Sequence, residues 1–198
     1  MSPLELFLLT QKPPTKWKVA GKDTDYCIIE TPTEVILSFK GTDSDIDWKI
    51  NFDFWVRPYQ KQPQRWYTHR GFARAWKLAK DQIVSEVIAV LKSRKLIIIG
   101  YSHGADITIL AHEYFWFNDY DPNSSVFGPA RLCWLPSKAI RGRFSKLNCY
   151  MTYGDIVTHV PFWVLGYRHV GRINKVGRRH FVSHKPHLKA AYIEALSN

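Results

Sequence analysis

The sequence predicts an α/β fold with a mostly parallel central sheet flanked by helices, and three observations support this prediction. Short apolar runs alternate along the chain with amphipathic segments, an order typical of parallel strands joined by crossover helices. The clearest run, at 95–100, is continuous, as expected for a strand buried on both faces. The chain has 198 residues, of which 45% are hydrophobic, which is enough for one core. We therefore expect a single compact domain over residues 1–198.

The first half of the chain shows the pattern of each element in turn. Runs of β-forming residues at 26–30 and 34–39 flank a Thr-Pro-Thr segment and indicate two strands joined by a tight turn. Residues 51–56 alternate polar and aromatic side chains, which indicates another strand. At 71–93 apolar residues recur at spacings of three and four, which predicts a long amphipathic helix.

The second half continues the alternation after the strand at 95–100. A helix is predicted at 105–117, and a hairpin at 167–176 with Gly171 near its bend. The remaining predicted elements are strands at 125–128 and 148–152, a helix at 136–147 between them, and a closing helix at 187–196. This order favours crossover connections between parallel strands.

The charge balance is strongly basic. Lys and Arg number 28 against 17 Asp and Glu, a formal net charge of +11. Such a surface attracts anions, including phospholipid head groups, acidic substrates and nucleic acid, although it can also serve solubility alone. The densest basic stretch, at 168–189, interleaves apolar residues and therefore predicts folded structure.

The cysteines and the N-terminus bear on location and on metals. Cys27, Cys133 and Cys149 form no CxxC pair, so we expect no metal site. Their odd number fits a reducing compartment, and residues 1–10 lack the basic start of a secretory signal, so a cytoplasmic location is predicted. Nor does the chain contain a run of about 18 uncharged apolar residues, the length that predicts a membrane-spanning helix.

The motif that carries chemistry is Gly100-Tyr-Ser-His-Gly104, which follows a buried-strand pattern and opens a helix. A G-x-S-x-G in this context is typical of the nucleophile elbow of the α/β-hydrolase fold. Its glycines leave room where side chains would collide with neighbouring backbone. The motif predicts that Ser102 is a nucleophile, whose negative charge in the reaction is stabilised by the helix N-terminus.

A serine nucleophile needs a base and an acid, which follow it in this chain order in such folds. Asp155 ends a candidate strand and should face the same edge of the sheet as Ser102. Asp106, Glu113 and Glu194 fall within predicted helices, and Asp119 and Asp121 lie in a polar loop. Of the histidines after Asp155, position before the last helix favours His184 or His187 over His159, His169 and His180.

These residues resemble the class 3 lipases, the fungal-type branch of the α/β-hydrolases. The resemblance extends over residues 26–196, and its motifs keep the order of the family. They are LSFKGT at 37–42, with Lys40 where Arg is usual, DW at 47–48, NFDF at 51–54, HRGF at 69–72, FGPAR at 127–131, GDIV at 154–157 followed by Val160-Pro161, and YRHVG at 167–171.

The resemblance implies roles for several residues. The family's base commonly precedes a terminal helix containing Tyr, which selects His187 and keeps His184 as the reserve candidate. The oxyanion hole is implied to be formed by the backbone N–H groups of Thr42 and His103, and the YRHVG motif marks His169 as structural. The chain is shorter than secreted fungal lipases, and residues 44–55, which resemble the family's lid, are rich in Asp and aromatics.

The sequence thus predicts a hydrolase that cleaves carboxylic esters, with an acyl ester or lipid as substrate and no cofactor. Its catalytic residues are predicted to be Ser102, Asp155 and His187. An anionic membrane surface is a further expected partner. Thioesterase or acyltransferase activity remains an alternative, as does a basic lipid-binding or nucleic-acid-binding protein with a vestigial site, although nucleic acid is less favoured. The residues predicted to line or cover the acyl site are Trp48, Trp55, Phe162 and Trp163.

Overall fold

The computed structural model describes residues 1–41, 56–59, 66–179 and 181–197. Its helices are α1 (Pro3–Gln11), α2 (Arg70–Leu91), α3 (His103–Phe117), α4 (Lys138–Gly142) and α5 (Lys189–Ser197). Its strands are β1 (Lys18–Ala20), β2 (Thr24–Glu30), β3 (Glu34–Phe39), β4 (Val56–Tyr59), β5 (Trp66–His69), β6 (Lys95–Tyr101), β7 (Asn123–Phe127), β8 (Cys133–Trp134), β9 (Leu147–Thr152), β10 (Tyr167–Arg168) and β11 (Arg172–Val176). Short 3₁₀ turns occur at Val157–His159, Trp163–Leu165 and Lys185–His187.

Within the described residues, seven strands form the main sheet in the order β1-β2-β3-β6-β7-β9-β11. The pairs β1–β2 and β2–β3 are antiparallel. From β3 to β11 every neighbouring pair is parallel. In this register Gly100 lies between Phe39 and Val126. The predicted α/β fold with a mostly parallel sheet is confirmed, and the carboxyl ends of β3, β6, β7 and β9 share one edge.

One face of this sheet is covered by α2 and α3, which contact each other. The apolar stripe of α2 is buried at Trp76, Ala79, Ile83 and Val87, as the spacing predicts. Trp76 meets Phe39 of β3 edge-on, with ring centroids 6.3 Å apart. Each such large side chain contributes roughly 1.5–3 kcal/mol on burial. This packing fixes β3 and β6, the two strands that lead into the site.

The other face is covered by α1 and α5, which lie against each other. Helix α1 begins with a capping box between Ser2 and Glu5. Its Phe7 is fully buried, with its ring centroid 5.4 Å from that of Tyr101 and 5.6 Å from that of Tyr192. The sequence patterns did not predict this helix.

A smaller sheet corrects the predicted hairpin at 167–176. Among the described residues its strand order is β10-β8-β5-β4, and β10 is antiparallel to β8. Strand β11, by contrast, is parallel to β9 in the main sheet. Gly171 turns the chain from one sheet to the other with φ +81° and lies so close to Leu147 that a Cβ would be 2.6 Å from its carbonyl oxygen. The hairpin prediction is therefore wrong.

Two further predictions are modified. The helix expected at 136–147 is limited to Lys138–Gly142, after which Phe144 and Leu147 continue the chain in single turns, donating to the carbonyls of Arg141 and Phe144. The strand predicted at 51–56 lies outside the described residues except for Val56, which begins β4. In the described part of the chain, every helix is too short or too polar to cross a bilayer.

Candidate active site

Ser102 lies in the turn between β6 and α3, at the shared carboxyl edge of the sheet. Its backbone has φ 54° and ψ −125°, a conformation that costs a non-glycine residue roughly 1–3 kcal/mol. The flanking glycines permit the sharp turn. A Cβ at Gly100 would lie 2.3 Å from the Gly104 oxygen, and one at Gly104 would lie 2.5 Å from the Phe39 oxygen. The strained turn projects Ser102 from the end of β6.

His187 lies between Ser102 and Asp155. Its Nε2 is 2.9 Å from Ser102 Oγ, and its Nδ1 is 2.9 Å from Asp155 Oδ2. Because a carboxylate only accepts hydrogen bonds, Nδ1 carries the proton and donates it. Nε2 is then free to accept the hydrogen bond from the Ser102 hydroxyl. This is the protonation state that a general base requires.

Asp155 is a fully buried carboxylate held by several donors. Besides His187, the Val157 N–H donates to Oδ1 at 2.9 Å and the Tyr192 hydroxyl donates to Oδ2 at 2.8 Å. Burial, together with the nearby Asp155, raises the pKa of Tyr192 well above its usual value, so this phenol stays protonated. These hydrogen bonds fix the carboxylate that orients His187.

A backbone pairing brings the base to the acid. Asp155 and Ser183 form a parallel β-bridge. The Ser183 N–H donates to the Gly154 oxygen at 2.9 Å, and the Ile156 N–H donates to the Ser183 oxygen at 3.0 Å. The chain then makes a 3₁₀ turn that presents His187, whereas His184 is exposed at the start of that turn. Of the two candidate bases, the structure brings His187 to Ser102.

The remaining histidines that follow the acid brace its loop or lie elsewhere. His159 Nδ1 is 2.7 Å from the backbone oxygen of Asp155. His169 Nε2 is 2.9 Å from the oxygen of Thr158, whose hydroxyl donates to the same Asp155 oxygen at 2.8 Å. Burial lowers the pKa of His169 to about 4, so its ring is neutral near pH 7. His180 lies outside the described residues.

Two tyrosines at the site were missed as functional candidates from sequence. Tyr101, inside the elbow motif, stacks on His187 with ring centroids 5.3 Å apart and planes 20° apart. Its hydroxyl donates to the His187 backbone oxygen. Tyr192 lies five residues after the base on the last helix, and the family's terminal Tyr was the one available signal for it. Both rings pack on Phe7.

Of the two predicted oxyanion donors, only His103 lies within the described residues. His103 is the first residue of α3, where backbone N–H groups have no acceptor within the helix. Its ring lies 5.4 Å from that of Phe72, and burial lowers its pKa. Thr42 lies outside the described residues. Gly41, which precedes it, adjoins the nucleophile, since a Cβ there would be 3.5 Å from Ser102 Cβ.

Of the four aromatic residues predicted to line the acyl site, two lie within the described residues and two do not. Trp48 and Trp55 lie outside the described residues. Phe162 and Trp163 follow the acid loop and are 60% and 61% exposed, so neither belongs to the core. The Arg168 guanidinium lies 5.8 Å from the centre of the Trp163 ring. In the described ranges, His, Cys, Asp and Glu side chains form no cluster of three or more that could hold a metal ion.

A parallel sheet with an elbow serine, followed in the chain by an aspartate and then a histidine, defines the α/β-hydrolase class of fold and site. The sequence matches the class 3 lipase family over residues 36–165. This chain therefore belongs to the class 3 lipase family, as its motifs predicted.

Curated relatives support the family and correct one prediction. The chain is 27% identical over 151 residues to the secreted mono- and diacylglycerol lipase A of Penicillium cyclopium, an alignment covering 71% of this chain and 47% of the relative. The same values hold for the lipase of that name from Penicillium camembertii. The chain thus spans about half the length of these relatives. Both are named as secreted, which contradicts the predicted cytoplasmic location.

Solved structures show the same fold at low sequence identity. The triacylglyceride lipase of Rhizomucor miehei superposes with a TM-score of 0.71 at 18% identity, covering 86% of this chain and 67% of that one. The mono- and diacylglycerol lipase of Aspergillus oryzae gives a TM-score of 0.67 at 20% identity, covering 81% and 61%. The α/β-hydrolase fold predicted from the elbow motif is confirmed.

Proposed function

We propose that this protein is a serine hydrolase that cleaves the carboxylic ester bonds of acyl lipids. The observation that carries the proposal is the continuous hydrogen-bonded chain from Ser102 Oγ through His187 to Asp155, with both links at 2.9 Å. An alcohol becomes a nucleophile when a positioned base accepts its proton and an acid holds that base in the right tautomer.

In the proposed mechanism, Ser102 Oγ attacks the acyl carbonyl carbon while its proton moves to His187 Nε2. Asp155 stabilises the resulting imidazolium. The tetrahedral intermediate collapses as His187 gives the proton to the departing alcohol oxygen, which leaves an acyl group on Ser102. Water, deprotonated by His187, then attacks the acyl carbon. The carboxylic acid leaves and Ser102 recovers its proton.

The developing oxyanion would be held by the backbone N–H groups of His103 and Thr42. His103 supports this role because it opens α3, where the free N–H groups and the helix dipole both favour negative charge. Thr42 directly follows Gly41, which adjoins Ser102. Loss of one such donor typically costs about 3 kcal/mol of transition-state stabilisation.

An acyl lipid is proposed as the substrate on two grounds. Relatives of this chain are named as mono- and diacylglycerol lipases. The chain also exposes a run of apolar side chains, Phe162–Leu165, each at least 57% exposed, shortly after the acid loop. Exposed apolar patches of this kind are typical of surfaces that contact lipid or protein. Trp48, Trp55, Phe162 and Trp163 remain proposed contacts of the acyl chain.

We further propose that the lipid surface is anionic. A second exposed apolar pair, Phe181 at 97% and Val182 at 57%, directly precedes Ser183, the residue paired with the acid loop. Basic residues accompany both apolar segments, since Arg168 lies over Trp163 and Arg179, which lies over Tyr153, precedes Phe181 by two positions. Apolar side chains flanked by cations suit the boundary between acyl chains and anionic head groups.

A fluorophosphonate probe and a series of p-nitrophenyl esters of increasing chain length test the proposed function. The intact protein should react covalently with the probe and hydrolyse the esters, and Ser102→Ala should lose both activities while remaining folded. Ser145→Ala is the matched control, because Ser145 is an exposed surface serine and should leave both unchanged. Ordinary ester hydrolysis by folded Ser102→Ala would refute the proposal.

A further inference from the structure

A cavity of about 450 Å³, open to solvent on one side, lies against the turn that carries His187. It is bordered by the end of β11, the segment leading to Ser183, the turn at Lys185–Pro186 and helix α5. Neither Ser102 nor His187 lines it. Its volume lies within the roughly 300–1,000 Å³ that is usual for ligand sites.

Small residues create the room in this cavity. Ala191 and Ala195 are four positions apart and so share one face of α5. Gly177, with φ +78°, packs closely on Ala195, since a Cβ there would lie 2.9 Å from that of Ala195. Val176 and Pro186 add apolar surface to the wall, and Phe181, which is 97% exposed, lines the side that is open to solvent.

The rim of the cavity is charged. Arg178 and Lys185 both line it and both are exposed. Among the lining residues that the structure describes, Glu194 is the acidic one, so the rim has a net positive charge. An apolar interior with two cations at its mouth complements one chemical class, an amphiphile with a single anionic head group and an alkyl chain.

The cavity shares its wall with the catalytic loops. Thr152, which lines it, donates its hydroxyl proton to the backbone oxygen of Pro186, the residue before His187. Ser183, also in the wall, forms the backbone pairing that holds Asp155. A ligand that displaces Pro186 or Ser183 therefore moves the base or the acid.

We propose that this cavity binds a long-chain carboxylate and that its occupancy slows turnover without blocking substrate binding. The choice of a carboxylate rests on the proposed function, since hydrolysis of an acyl lipid releases one. The Ser102–His187 and His187–Asp155 contacts have the usual hydrogen-bond length of 2.9 Å, so displacement of the His187 turn weakens them. The cavity is thus a product-sensing site outside the Ser102 centre.

Calorimetry with dodecanoate, and with neutral dodecanol as the uncharged analogue, tests binding. Dodecanoate should bind the intact protein about tenfold more tightly than dodecanol, because its head group pairs with the two cations. The double variant Arg178→Ala/Lys185→Ala should lose that preference while still binding dodecanol. Arg74→Ala/Lys77→Ala removes two exposed cations from α2 and is the matched control that should keep it.

Ala195→Trp fills the cavity and should abolish binding of both compounds there, leaving only their binding at the Ser102 centre. In kinetics with a short-chain p-nitrophenyl ester, dodecanoate should lower kcat with little change in KM, and Ala195→Trp should remove this inhibition relative to its own uninhibited rate. Equal dodecanoate affinity in the intact protein and both cavity variants would overturn the proposal, as would purely competitive inhibition. Binding is measured without hydrolysis, so failure of the proposed function would be seen separately in the probe and ester assays.

Discussion

At the scale of the single residue, two histidines three positions apart have very different surroundings. His187 is hydrogen-bonded to both Ser102 and Asp155, whereas the His184 side chain is exposed. From residue patterns alone both lay in the same predicted loop. The difference arises from the pairing of Ser183 with Asp155, which fixes the start of the turn, so that one turn later only His187 points at Ser102.

His187→Ala should lower kcat by several orders of magnitude, because proton transfer from Ser102 loses its base. His184→Ala serves as the matched control and should retain nearly full kcat. Both are measured with the same short-chain ester, and circular dichroism verifies folding. A large loss of kcat in His184→Ala, together with normal kcat in His187→Ala, would reverse the assignment of the base.

A second residue of interest is Asp106, which is 1% exposed in α3 and lies one turn after Ser102. Its Oδ2 accepts from the Ala130 N–H at 3.4 Å, and its Oδ1 has no hydrogen-bond partner among the described residues. Burial raises its pKa well above the usual value. The folded protein therefore keeps this proton at a pH where the unfolded chain, with a carboxyl pKa near 3.9, has lost it. Stability contributed at low pH is lost as the pH rises through this window.

Asp106→Asn removes that titration. The difference in the free energy of unfolding between Asp106→Asn and the wild type, measured by denaturant titration, should shift in favour of the variant as pH rises from 4 to 8, by at most about 1.4 kcal/mol per pH unit within the window. A constant offset from the new amide does not alter this slope. Asp81→Asn, at a side chain that is 90% exposed, is the control and should show no such trend. Parallel stability curves for Asp106→Asn and the wild type would contradict the prediction.

At the scale of the element, helix α1 supports the site from behind. Phe7 packs on Tyr101, which stacks on His187, and on Tyr192, which donates to Asp155. The family match begins at residue 36, after this helix. One buried ring from α1 thus stabilises the two tyrosines that hold the base and the acid.

Phe7→Ala should destabilise the fold by roughly 3–5 kcal/mol, the usual cost of removing a buried phenyl ring. It should also lower kcat with little change in KM, because Tyr101 and Tyr192 lose their packing partner. Leu8→Ala on the same helix is the control, since Leu8 is 43% exposed. Undiminished kcat in folded Phe7→Ala would show that α1 contributes to stability alone.

The elements that sequence predicted best are those whose pattern is local. The stripe of α2 and the strand–Ser102–α3 elbow depend on periodicity and on glycines at fixed positions, and both were located to within a few residues. The prediction of a hairpin at 167–176 was wrong because β10 and β11 join different sheets. Their partners, β8 and β9, lie in other parts of the sequence, so the local pattern does not reveal the pairing. Helix α1 was not predicted because its apolar residues lie all around the helix and form no stripe along one side.

In the site, too, residues with a local sequence pattern were predicted, and contacts between distant residues were not. Ser102 follows from its motif, and Asp155 from the end of a strand. The contacts of Tyr101 and Tyr192 with His187 and Asp155 span more than 30 residues, so spacing in sequence carries no signal of them.

At the scale of the whole molecule, the net charge of +11 bears on the choice of surface. Each basic residue near an anionic bilayer contributes on the order of 1 kcal/mol, and the attraction fades within about 8 Å at physiological salt. The residues concerned are Arg168, Arg172, Lys175, Arg178 and Arg179.

Hydrolysis should therefore be faster on vesicles containing anionic lipid than on neutral ones at low salt, and high salt should reduce the difference. Arg168→Ala/Arg179→Ala should reduce the preference, and Arg74→Ala/Lys77→Ala on α2 should leave it. Equal rates on both surfaces at every salt concentration would show that the charge does not serve recognition.

The support of the site by α1 and α5 also bears on the timing of activity during synthesis. The ribosome adds Ser102 before His187 and Tyr192, and Tyr192 must then pack with Phe7, which was made earlier than either. A nascent chain therefore holds an elbow without a base. The proposed ester cleavage therefore depends on contacts between segments that are far apart in the sequence, so its onset would report that α1, the elbow and α5 have packed together.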